Sequence, residues 1–224
     1  MLGSSNETSE TPPVGETANR GRIEVWRKVL HMTPGLLPFT LVLLEHTDPI
    51  HPVTLFTVAL IAGLLTWVYI RSARFVKRDG EDDFILTAVS YPALVVLSLA
   101  IFPGHAEFAC VVAVILAFGD GSAYLAGKLL GKRKLPWNPD KTWMGTCAFV
   151  ICSTPIAAAA YWLEARPEVP MAMAAVCAFT AAFLAAIAES LPMRVNDNLR
   201  VGIASIVGVS LAYFFVVDRF LTLS

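Results

Sequence analysis

The sequence predicts an all-α fold, a polytopic membrane helix bundle of about seven transmembrane helices. Three observations predict it. The chain has 224 residues, of which 56% are hydrophobic and only 16% charged, where a soluble domain carries about 25% charged residues. Its apolar residues gather into long runs divided by short polar clusters, and the mean hydropathy is +0.62. Finally, the Lys and Arg clusters fall after every second run. In lipid the backbone must satisfy its own polar groups, so an apolar run of roughly 20 residues reads as a helix.

Residues 1–21 are expected to form a disordered tail. Met1 to Asn19 is rich in Ser, Thr, Glu and Pro, with too little apolar surface to offset its ordering entropy, and it lacks the apolar core of a signal peptide. Residues 22–224 form the membrane domain. Seven spans are read at about Val29 to Leu44, Val53 to Ile70, Phe84 to Phe102, Ala106 to Leu130, Trp143 to Leu163, Met171 to Ala188 and Val201 to Val217. The first is short and holds Pro34 and Pro38, which remove backbone donors and kink or break it; a partly re-entrant course suits it.

Orientation follows from the cations, because basic residues in short loops stay cytoplasmic. One side collects Arg20, Arg22, Arg27 and Lys28, then Arg71, Arg74, Lys77 and Arg78. The same side takes Lys128, Lys132, Arg133, Lys134 and Lys141, then Arg194 and Arg200. The other side keeps Arg166 and Arg219, so all 17 Lys and Arg are placed by seven spans with a cytoplasmic N-terminus. The net charge of −1 therefore conceals a strong segregation and points to no nucleic-acid partner. The cysteines, Cys110, Cys147, Cys152 and Cys177, lie in apolar runs without zinc-site spacing and read as packing residues.

Polar chemistry concentrates on the cytoplasmic side. The stretch Gly119 to Gly145 reads GDGSAYLAGKLLGKRKLPWNPDKTWMG. Asp120 ends an apolar run near membrane depth, where a carboxylate is costly and marks ion or substrate handling. Gly119, Ala123, Gly127 and Gly131 recur every four residues, a small-residue stripe that favours close helix packing. The same bare backbone also admits a bulky phosphate, with Lys128, Lys132, Arg133 and Lys134 supplying charge. Such a cluster equally serves topology or anionic lipid, but topology alone does not require the rigid LPWNP segment before Lys141 and Thr142. Trp137 and Trp143 read as interfacial anchors.

A second constellation joins Glu189-Ser190-Leu191-Pro192 to Asn196-Asp197-Asn198. Its oxygens suit Mg²⁺, which takes a few carboxylates plus substrate phosphates. The alternative is a solvated turn in which Asp197 or Asn198 caps the last helix. His31 shares a helical face with Arg27 and is either a phosphate contact or an interfacial residue; His46 and His51 read as interfacial only.

Together, the GDG, the GK spacing, LPWNP and KTWMG resemble the CTP-dependent polyprenol kinases, a group of phytol, dolichol and CTP-using diacylglycerol kinases. Phosphatidate cytidylyltransferases are more distant kin. ESLP followed by NDN is similar to that family's second motif, and Arg27-Lys28 with His31 is similar to its N-terminal pattern. The resemblance runs from about Arg27 to Gly202. Asn196 departs from it, standing where the family commonly has Asp.

The resemblance implies transfer of the γ-phosphoryl of CTP, or another nucleoside triphosphate, with Mg²⁺, to an isoprenoid or lipid alcohol at the cytoplasmic face of a multi-pass membrane protein. It implies catalytic roles for Asp120, Lys128, Lys141 and Asp197. Metal ligands would come from Asp120, Glu189, Asp197 and Asn198, and one of these acids can instead act as base. Nucleotide contacts would come from Gly119, Gly121, Gly127, Gly131, Lys132, Lys134, Lys141 and Thr142. Two other functions use similar parts: a cytidylyltransferase, in which a phosphorylated lipid attacks the α-phosphorus, and a non-enzymatic transporter. No second copy of the Gly119 to Gly145 pattern supports the paired repeats common in transporters.

Overall fold

The structure, a computed structural model, describes residues 32–41, 48–71 and 84–223. The N-terminal tail, Arg20, Arg22, Arg27, Lys28, His31, His46, Arg74, Lys77 and Arg78 lie outside the described residues. A 3-10 turn at Thr33–Leu36, with Pro34 in its first positions, leads into the short helix α1 (Leu37–Leu41). Next come α2 (Pro52–Arg71) and α3 (Phe84–Ile101), the latter with Pro92 inside it. Helix α4 (Ala106–Val114) passes through a π-helical turn at Ile115–Gly119 into α5 (Asp120–Leu130). Strands β1 (Lys134–Leu135) and β2 (Asn138–Thr142) follow. The chain continues through α6 (Trp143–Glu164), α7 (Met171–Ser190) and α8 (Asp197–Ala212). A second π turn at Tyr213–Val217 then leads to α9 (Asp218–Leu223).

Among the described residues, five helices are long and apolar enough to cross a membrane: Pro52–Arg71, Ala106–Leu130, Trp143–Glu164, Met171–Ser190 and Asp197–Thr222. Ile85–Ile101 is apolar but shorter. The fold is thus a multi-pass helix bundle, interrupted by one small hairpin that the helical periodicity did not announce.

The continuous helix Ala106–Leu130 is the axis of the bundle. From Phe108 to Ala117 its side chains are enclosed on every face, against α3, α6, α7 and α8. By contrast, α2 fully buries no side chain; Leu55 and Val58 pack against Leu99, Ala106 and Ala109, and its remaining apolar faces read as lipid-facing. Helices α7 and α8 approach closely because small residues meet there. A Cβ on Gly208 would lie 2.6 Å from the Ala181 Cα, and Ala174, Ala178, Ala181, Ala182 and Ala185 are buried along the seam. In lipid, such backbone proximity gains dispersion contacts that larger residues forbid.

Two sequence expectations need correction. Cys110 and Cys177 are core residues, but Cys147 and Cys152 face outward from α6, because an apolar surface in lipid does not have to point inward. The cap of α8 falls one residue earlier than expected. Asn196 has non-helical backbone, and its Oδ1 accepts from the Asn198 and Leu199 amides at 3.1 and 3.4 Å, leaving Asp197 as the first helical residue.

Candidate active site

Beyond the first turn of the axial helix's polar end lies a cavity of about 340 Å³. Asp120, Ala123, Tyr124, Gly127 and Lys128 line it from α5. The hairpin contributes Lys134, Asp140, Lys141 and Thr142, α6 contributes Gly145 and Thr146, α7 contributes Glu189, and α8 contributes Asp197. Residues from 120 to 197 are thus gathered from six elements into one wall. Asp120, Tyr124 and Lys128 share a face because they are spaced by four on a helix.

The hairpin holds the cations in place. Its strands are antiparallel, Leu135 opposite Asn138 and Lys134 opposite Thr142, so Pro136 and Trp137 form the turn. The Trp143 amide donates to the Arg133 carbonyl at 3.2 Å. The hairpin also docks on the end of α7: the Trp137 indole donates to the Ser190 hydroxyl at 3.3 Å, and the buried Asn138 amide donates to the Ser190 carbonyl at 3.1 Å. Trp137 meets Trp143 edge-on with ring centroids 5.4 Å apart. The LPWNP segment therefore fixes Lys141 against α7.

The α5–α6 contact is tight at the glycines. A Cβ on Gly131 would meet the Thr142 Oγ1 at 2.7 Å, one on Gly127 at 3.0 Å, and one on Gly145 would meet the Ala123 carbonyl oxygen at 2.9 Å. Thr142 Oγ1 accepts from the Gly145 amide at 3.0 Å and caps α6. Gly119 faces the Phe149 ring and Gly121 faces Met32. Close packing accounts for Gly119, Gly121 and Gly131, while Gly127 also borders the cavity.

Electrostatics centre on Lys141. Its ammonium pairs with the Glu189 carboxylate and lies 3.4 Å from Asp197 Oδ2. Asp197 Oδ1 in turn pairs with Arg200. Burial alone would lower the Lys141 pKa; the Glu189 carboxylate, with Asp197 and Asp120 adding to it, outweighs burial and holds it above the ordinary lysine value. Lys128 Nζ donates to the Tyr124 hydroxyl at 3.2 Å and sits over that ring. Lys132 and Arg133 are exposed and do not line the cavity.

Of the four oxygen-bearing residues expected at a metal, Asp120, Glu189 and Asp197 share the cavity. Asn198 does not: it is buried and donates to the Thr87 carbonyl at 3.0 Å, tying α8 to α3. Among the described residues no three His, Cys, Asp or Glu side chains cluster as a ready-made metal site. Mg²⁺ does not require one, since it takes one or two carboxylates together with substrate phosphates, and the three acids around a cation-lined cavity fit that donor set.

Tyr124, Asp140, Thr146 and Arg200 were not picked out as site residues from sequence. Tyr124 was accessible from helical spacing alone, midway between Asp120 and Lys128. Asp140 and Thr146 flank Lys141 along the chain, but only the hairpin shows that they face the same space.

A profile for the Cytidylyltransferase family matches residues 16–191. The chain belongs to the cytidylyltransferase family. The matched segment contains Asp120, the hairpin and Glu189, and ends before Asp197. The relatives carry a more specific name. The chain is similar to phytol kinase 1, chloroplastic, of Arabidopsis thaliana, 26% identical over 148 residues, covering 62% of this chain and 47% of that one. It is 28% identical over 147 residues to a probable phytol kinase 2, chloroplastic, of Oryza sativa subsp. japonica, covering 61% and 48%. It is 31% identical over 93 residues to a probable phytol kinase, chloroplastic, of Zea mays, covering 41% and 31%. The resemblance to the CTP-dependent polyprenol kinases is borne out at the level of family. The chain spans about half the length, or less, of these curated relatives. No solved structure matches it.

Proposed function

We propose that this protein is a membrane lipid-alcohol kinase that transfers the γ-phosphoryl group of CTP to an isoprenoid alcohol of the phytol or polyprenol type. The observation that carries the reading is the single cavity in which Asp120, Glu189 and Asp197 meet Lys128, Lys134 and Lys141. A triphosphate needs cations that are held in place before it binds, and phosphoryl transfer depends mainly on such positioning and charge stabilisation. The phytol kinases among the relatives support an isoprenoid alcohol as the acceptor class.

In this reading Lys141, oriented by Glu189 and Asp197, and Lys128, oriented by Tyr124, receive the β- and γ-phosphate oxygens. Lys134 adds charge at the rim, and exposed Lys132 raises the local nucleotide concentration. The alcohol oxygen forms its bond to the γ-phosphorus while the bond from that phosphorus to the β-γ bridging oxygen breaks, and CDP leaves. The hydroxyl proton passes to the cavity carboxylate that is not engaged by the metal. Asp120 with Glu189 or Asp197 would hold Mg²⁺, which when bound neutralises triphosphate charge. The distribution of cations supports seven spans, with the N-terminus and the cavity on the cytoplasmic side.

The family's own description favours a second reading, cytidylyl transfer to a phosphorylated lipid with release of pyrophosphate. Purified protein in mixed micelles with Mg²⁺, γ-labelled CTP or ATP, and a panel of phytol, farnesol, dolichol and diacylglycerol separates the two. Label in a lipid monophosphate, with CDP as co-product, supports the kinase and names the alcohol. Label in pyrophosphate, when phosphatidate or a prenyl phosphate is supplied instead, selects the alternative.

A further inference from the structure

Arg200 lies in the first turn of α8 with its side chain 8% exposed, and its contacts reach across two helices. Its Nη1 donates to the Ala188 and Leu191 carbonyls, both at 2.8 Å, around the end of α7 where Glu189 sits. Its Nη2 pairs with Asp197 Oδ1. The last carbonyls of a helix have no partner within it, so a buried guanidinium that takes one of them, the Leu191 carbonyl just beyond the helix and a carboxylate fixes the α7–α8 corner rigidly. Both acids that hold Lys141 are therefore anchored by one group: Asp197 directly, and Glu189 through the adjoining Ala188 carbonyl.

The geometry points to Arg200 as a positioning residue for the nucleotide-binding lysine. It acts through Asp197, neutralising that carboxylate so that Lys141 remains available to phosphate in the cavity. Arg200 does not line the cavity and has no contact with the reacting atoms. Without it, Asp197 would bind Lys141 more strongly and leave one more uncompensated negative charge where a triphosphate must enter. The inference rests on the kinase reading of the cavity.

The test is equilibrium binding of Mg²⁺-CTP to the purified full chain in detergent, in a cycle of Arg200→Gln, Asp197→Asn and the double variant. Thermal unfolding is followed in parallel. Because Asp197 is half exposed, the expected weakening for Arg200→Gln is about fivefold. In the Asp197→Asn background the same change has no further effect on nucleotide affinity, whatever it does to the melting temperature. Arg200→Lys, which keeps the charge but not the fork, falls between wild type and Arg200→Gln, and replaces it in the cycle if the glutamine variant does not fold. Equal affinities in wild type and the Arg200 variant, or the same loss in both Asp197 backgrounds, overturn the assignment. A wild-type chain that binds no nucleoside triphosphate overturns the kinase reading and this inference with it.

Discussion

Replacing Lys141 by methionine probes the charge arrangement of the cavity, because its pairing with Glu189 is asymmetric. The Glu189 side chain is 3% exposed and that of Lys141 is 26% exposed. Lys141→Met strands a carboxylate that water cannot reach, and breaking a buried pair from one side costs about 3–5 kcal/mol. The Asp197 contact is half exposed and adds about 0–1 kcal/mol. Glu189→Gln is milder, because Lys141 keeps Asp197 and some water, and a cost of about 1 kcal/mol follows. For a chain of this size 1 kcal/mol corresponds to roughly 2–4 °C in Tm. Lys141→Met should therefore lower Tm by about 6–20 °C and Glu189→Gln by about 2–4 °C, read by tryptophan fluorescence on detergent-solubilised protein. The double variant should regain most of the larger loss, since neither charge is then left alone. Equal shifts for the two single variants, or a larger shift for Glu189→Gln, would refute the reasoning.

Asp120→Asn should abolish phosphoryl transfer in the mixed-micelle assay while leaving Tm within about 2 °C of wild type; full activity in that variant removes Asp120 from the chemistry. Gly145→Ala drives a methyl group against the Ala123 carbonyl oxygen and should cost about 1–3 kcal/mol in thermal unfolding, whereas Gly63→Ala, with nothing within 4 Å of the new Cβ, should cost nothing measurable. Thr142→Ala removes the α6 cap and should cost about 1 kcal/mol, and Thr142→Ser should restore it. The raised Lys141 pKa gives a stabilising charge that is fully present below the ordinary lysine value of about 10.4 and lost only above it. Nucleotide affinity should therefore show no loss from Lys141 between pH 7 and 10, and a fall centred within that window would mean another group controls it.

The helical spans were legible because the bilayer forces long apolar runs into helices, and the observed bounds of α2, α6 and α7 lie within a few residues of those expected. Asp120, Lys141, Glu189 and Asp197 were legible because charge at the end of an apolar run is conspicuous. What the sequence hid was pairing. Nothing local says that Lys141 meets Glu189, 48 positions away, or that Arg200 turns inward instead of serving as one more basic residue at a helix end. Glu107 was hidden in the same way. It stands in the first turn of α4, where acids are usually solvated, yet it is buried and paired with His105 at 3.0 Å, because the loop before α4 folds over it. Asn196 read as a lost acid, but its Oδ1 caps α8 as an Asp oxygen would, and its amide adds what a carboxylate cannot, an Nδ2 that donates to Thr87 Oγ1 at 2.8 Å.

The π turn at Ile115–Gly119 has a consequence for how such a cavity could arise or be lost. A π turn amounts to one residue inserted into an α-helix, and each residue of an α-helix advances the side-chain direction by about 100°. Removing a single residue from Ile115–Gly119 would return the axial helix to regular winding without disturbing the buried face of α4. Because the wider turn absorbs the extra residue, Asp120, Tyr124 and Lys128 would keep nearly the same direction, whereas a residue removed from the regular winding before the turn would swing all three by about 100°, away from Lys141. The π turn is thus the one stretch of this helix where a codon can be gained or lost with the polar mouth still facing Lys141.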